Sequence, residues 1–154
     1  MIRRFLPGFR TCCLTVCFLY VTMAGSLFVR GLITSMIDFR VPPPTLASPH
    51  YYDALLWIYS HMIVLGLIIG VVGLYGKNSQ LKKWMARLLL IVHAYYTYLD
   101  FRTSDSFVGN GLYKGEGSII PGLVCLFVTL LFLQLVLFGE PPPMKLESTK
   151  SPTM

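Results

Sequence analysis

The sequence predicts an all-α integral membrane protein, a four-transmembrane-helix bundle, from three observations. The 154 residues are 55% hydrophobic but only 13% charged, against about 25% charged residues in soluble domains. Residues 11–29, 54–76 and 117–139 contain no Asp, Glu, Lys or Arg, and each run exceeds the ~18 residues that mark a membrane span. The Lys and Arg residues fall mainly on one side of these runs, as the positive-inside rule requires. Lipid offers the backbone no hydrogen bonds, so spans of this length are helices rather than strands.

The first helix is expected over about 11–36. Arg3, Arg4 and Arg10 precede it, as they would a signal peptide. However, the run is longer than a 7–15-residue signal core and lacks an A-x-A cleavage site, so it reads as a retained span. The second helix is expected over 53–76 and the fourth over 118–138. The third, over 84–101, is less clean, because Arg87 and Asp100 sit near its ends. Those positions lie at the interfaces, where a charge can reach water. Together residues 1–139 form a single domain. The segment 140–154, "EPPPMKLESTKSPTM", is polar and Pro-rich and reads as a disordered cytoplasmic tail.

Nine Lys and Arg residues flank the predicted inner ends: Arg3, Arg4, Arg10, Lys77, Lys82, Lys83, Arg87, Lys145 and Lys150. Four flank the outer ends: Arg30, Arg40, Arg102 and Lys114. Both termini are therefore expected in the cytoplasm. The net charge of +6 follows from this asymmetry and suits anionic lipid headgroups. The bilayer is the expected partner, nucleic acid is not, and membrane-protein partners or a homo-oligomer remain open.

The short inner connection at 77–83 predicts that helices two and three are antiparallel neighbours. Outside, Pro42 to Pro44 predict an extended, polyproline-like path, and Asn110–Gly111 a turn. Gly66, Gly70 and Gly73 line one helix face, the small-residue pattern that lets membrane helices approach closely. An intrachain partner is the simpler expectation for this face.

The strongest chemical pattern is a pair of histidines. His61 lies roughly 12 Å below Asp53 and His93 roughly 10–12 Å below Asp100, at 1.5 Å per residue, so both are intramembrane and at similar depth. Asp53, Trp57 and His61 share one helix face, as do His93, Tyr96 and Asp100. Intramembrane ionisable groups are costly and normally face an interior or a cavity. The pair, with Tyr96, fits ligand binding or a proton relay beneath an outer mouth of Asp53, Asp100 and Arg102, or simple interhelical hydrogen bonding with a tyrosine, Ser60 or Thr97. Metal or haem ligation by His61 and His93 is stereochemically open, but two histidines lack the further ligands of a zinc site, and no motif selects a cofactor. Cys12, Cys13 and Cys17 lie near the inner side and Cys125 near the outer side. That separation exceeds the about 7 Å between Cα atoms that a disulfide allows. No complete catalytic motif is present. The sequence therefore points to a small accessory or structural subunit of a membrane assembly, or alternatively to a carrier or membrane enzyme built on the histidine pair.

Overall fold

The computed structural model describes residues 6–104, 109, 111–114 and 116–141. Asp105, the expected turn at Asn110 and most of the expected tail lie outside the described residues. Six helices follow in order: α1 (Phe9–Arg30), α2 (Leu32–Asp38), α3 (Pro43–Leu46), α4 (Pro49–Tyr75), α5 (Ser79–Thr103) and, after a 3-10 turn at Glu116–Ile119, α6 (Ile120–Phe138). The described residues contain no strand. Three helices, α1, α4 and α6, are long and apolar enough to cross a membrane, which marks the chain as a membrane protein. The helix α5 is long enough, but Lys82, Lys83, Arg87, Asp100 and Arg102 make it the most charged of the long helices.

The expected single helix over 11–36 is two helices. Gly31 breaks it at φ +87°, a backbone that lets the chain turn into α2. That second helix ends at Arg40, a non-glycine residue at φ +54°. There the Val41 N–H donates to the Met36 carbonyl at 3.1 Å and the Arg40 N–H to that of Ile37 at 2.8 Å, the paired bonds of a Schellman cap. The polyproline path is also corrected. Only Pro42 is extended (φ −56°, ψ 135°); Pro43 and Pro44 open α3, because proline's missing N–H costs nothing in a first helical turn. In α5, Asn78 accepts from the N–H groups of Gln80 and Leu81 at 2.8 and 3.1 Å. This cap starts the helix ahead of the apolar run from which its position was predicted.

The packing order differs from the expected one. Helix α4 packs on α1, and α5 packs on α6 rather than on α4, with α1 also touching α6. The reason lies in the glycines of α4. A Cβ added at Gly66 would stand 2.8 Å from Tyr20 Cβ, at Gly70 2.8 Å from Cys17 Sγ, and at Gly73 2.5 Å from Cys13 Cβ. These glycines bring α4 against α1, and the partners run in reverse order, so the two helices are antiparallel. On the other side Thr97 meets Thr129 at 3.1 Å and Phe101 lies over Gly122, so α5 and α6 are antiparallel too. The interior is filled by one stripe of α1 (Phe9, Cys12, Cys13, Val16, Tyr20) with Ile69, Leu89, Val128, Phe132 and Leu135.

The two ends of the bundle are built differently. At one end Glu140 accepts from the Phe9 N–H at 3.2 Å and pairs with Lys82 at 3.3 Å, joining α1, α5 and the residues after α6. At the other end α2, α3 and Tyr113 form a roof. There Leu32, Met36, Val41 and Leu55 are buried, with Tyr51, Tyr59 and Tyr113 packed against them. The segment 111–114 is stitched down by Tyr113 N–H to Thr103 O (2.9 Å) and Lys114 N–H to Phe39 O (3.0 Å).

Candidate functional site

The two histidines have the same local geometry and opposite surroundings. Each Nδ1 lies 2.7 Å from the carbonyl oxygen one turn earlier, Trp57 O for His61 and Leu89 O for His93. A carbonyl only accepts, so Nδ1 carries a proton in both rings and Nε2 is the nitrogen left for other partners. His61 is exposed on the outside of α4, stacked on Trp57 with ring centroids 4.9 Å apart. His93 is fully buried, enclosed by Tyr20 of α1 (5.6 Å), Phe132 of α6 (5.7 Å) and Tyr96 (6.1 Å). Its Nε2 is buried without a hydrogen-bond partner among the described residues.

The other candidates divide in the same way. Asp53 and Arg102 are exposed, whereas Asp100 is half-buried. Arg30 pairs with Asp38 at 2.6 Å on the surface. Gly66, Gly70 and Gly73 are buried against α1.

The Asp100 carboxyl of α5 faces a thiol of α6, that of Cys125. Below it, the Thr97 hydroxyl donates to His93 O at 2.7 Å and faces Thr129, while the Thr129 hydroxyl reaches Cys125 O at 2.8 Å. This polar seam descends from Asp100 to His93. At the roof, burial pushes the Tyr113 hydroxyl above the usual tyrosine range; the neighbouring Tyr51 hydroxyl opposes this and the Asp100 charge adds to it.

Sequence reasoning missed Cys125 as a neighbour of Asp100 and Tyr20 as a neighbour of His93. Only the packing order brings these residues together. One signal was available: Cys125 and Thr129 at i and i+4 form a polar stripe in an otherwise apolar helix. No family model, curated protein or solved structure matches the chain.

Proposed function

We propose that the chain is a four-span membrane subunit, with both termini in the cytoplasm, that acts as an accessory or structural component of a larger membrane assembly. The fourth span is supported by the alignment of α5 with its neighbours. Its 25 residues reach about 37 Å at 1.5 Å per residue. It begins beside Glu140 and ends beside Gly122, so it runs the full length of α6. The excess of Lys and Arg at the Lys82 end supports the orientation.

The subunit role rests on His61. At roughly 12 Å from Asp53 along α4, this ring lies at bilayer depth, yet it is exposed on the outer surface of the bundle with Trp57, Ser60 and Val64. Ionisable groups at that depth face a protein interior or water. His61 faces neither within its own chain, so a neighbouring polypeptide is the natural cover. That neighbour brings a hydrogen-bonding partner for Nε2, the ring nitrogen that Trp57 O leaves unused. The alternative of a carrier or enzyme working through a His61–His93 pair lacks this support, because one ring lies outside the bundle and the other within it.

Native mass measurement of the tagged protein, purified from its own membrane in mild detergent, tests the subunit reading. Bound polypeptides that are lost in His61→Leu are expected. A wild-type protein that runs as a bare 17.4 kDa chain contradicts it.

A further inference from the structure

The charges around the start of α5 are of one sign. From Lys77 to Leu99 the chain carries Lys77, Lys82, Lys83 and Arg87 and no Asp or Glu. Lys82 is taken by Glu140. Lys83 and Arg87, one helical turn apart, are exposed and make no ion pair among the described residues. The helix turns Ala86, Leu89 and His93 into the bundle. Trp84, Leu88 and Ile91 are exposed on its other side and share one face, so Arg87 stands beside a surface suited to acyl chains. It lies roughly 12 Å along the axis from Ser79, at 1.5 Å per residue. The whole helix outreaches a hydrocarbon core of about 30 Å by only a few ångströms at each end. The Arg87 backbone is therefore at acyl-chain depth, where an unpaired charge is costly. Its guanidinium is directed back toward the basic end, with Cζ 5.2 Å from the centroid of the Trp84 ring.

We propose that Lys83, Trp84 and Arg87 form a binding site for the headgroup of an anionic phospholipid, whose acyl chains lie along Leu88 and Ile91. A lipid phosphodiester offers acceptors and negative charge, and the planar fork of an arginine takes two phosphate oxygens at once. Stacking over Trp84 restricts the guanidinium before the lipid arrives, so less side-chain freedom is lost on binding. A zwitterionic headgroup brings its own cation against Lys83, so the site favours a lipid of net negative charge. The inference rests on the reading of α5 as a span and is independent of the subunit role, which rests on His61 of α4.

The chain has two tryptophans, Trp57 and Trp84, so Trp57→Phe leaves Trp84 as a fluorescent reporter at the site. The full-length variant is placed in phosphatidylcholine vesicles that contain rising fractions of phosphatidylglycerol brominated on its acyl chains. A second series uses phosphatidylcholine brominated in the same way. Half-quenching of Trp84 is expected at a fraction of brominated phosphatidylglycerol about fivefold lower than of brominated phosphatidylcholine, the preference that one basic residue near a membrane surface supplies. Adding Lys83→Gln and Arg87→Gln is expected to abolish the preference while both lipids still quench. Equal quenching by the two lipids before those substitutions overturns the site and leaves the span standing. Quenching by neither overturns the site together with the lipid-facing placement of α5. A preference that survives Lys83→Gln and Arg87→Gln overturns these residues as its basis. Should that variant fail to fold, the comparison of the two lipids on the Trp57→Phe chain decides alone.

Discussion

Gly73 of α4 and Cys13 of α1 approach so closely that a Cβ on the glycine would lie 2.5 Å from the Cys13 Cβ. Neither backbone can yield without separating the two helices, because Gly66 and Gly70 make close approaches of 2.8 Å along the same seam. Gly73→Ala is therefore expected to destabilise the bundle by about 1–3 kcal/mol, the usual range for overpacking. Gly25, also in α1, has open space around its missing Cβ. Gly25→Ala is expected to be neutral or to stabilise by up to about 1 kcal/mol through helix propensity. Thermal unfolding of both variants in the same detergent checks the contrast.

Glu140 closes α1 at this same end of the bundle. Its carboxylate accepts from the Phe9 N–H, at the positive end of the α1 dipole, and pairs with Lys82. Both groups are partly exposed, with side-chain exposures of 46% for Glu140 and 30% for Lys82, so solvent screens them. Glu140→Gln is expected to cost only about 0.5–1 kcal/mol. Most of that difference should vanish in high salt; melting curves of wild type and variant at low and high ionic strength read it out.

Arg40 occupies the left-handed position that closes α2, where a side chain costs roughly 1–2 kcal/mol that glycine avoids. Arg40 is exposed and makes no ion pair among the described residues. Arg40→Gly is expected to leave the fold unchanged and to raise stability by a fraction of that cost, since glycine also gains freedom in the unfolded chain. The direction of the melting-temperature change decides the point.

The helical character of the chain and three of its four expected spans were legible in the sequence, because long uncharged runs have few other uses. Gly66, Gly70 and Gly73 were legible as a contact face, since only close approach makes such spacing useful. Their partner was not. A short connection made α5 the obvious neighbour of α4, but shape decided otherwise: the glycine groove accepts Cys13, Cys17 and Tyr20 of α1. That single change of neighbour leaves His61 exposed on α4 and encloses His93 between Tyr20 and Phe132. Residue spacing along a helix says which side chains share a face. It does not say which helix that face will meet, and the histidine pairing depended on the second question.

The central claim is that protein, not lipid, covers the His61 face. Val64 is exposed one turn from His61 on that face, with 54% of its surface accessible. The most direct measurement places a photo-crosslinking residue at position 64 and irradiates the protein in its native membrane. An adduct of discrete mass with another polypeptide, weakened when His61→Leu is combined with it, is the expected result. Adducts with lipid alone would contradict the account and leave His61 a solitary polar group facing the bilayer.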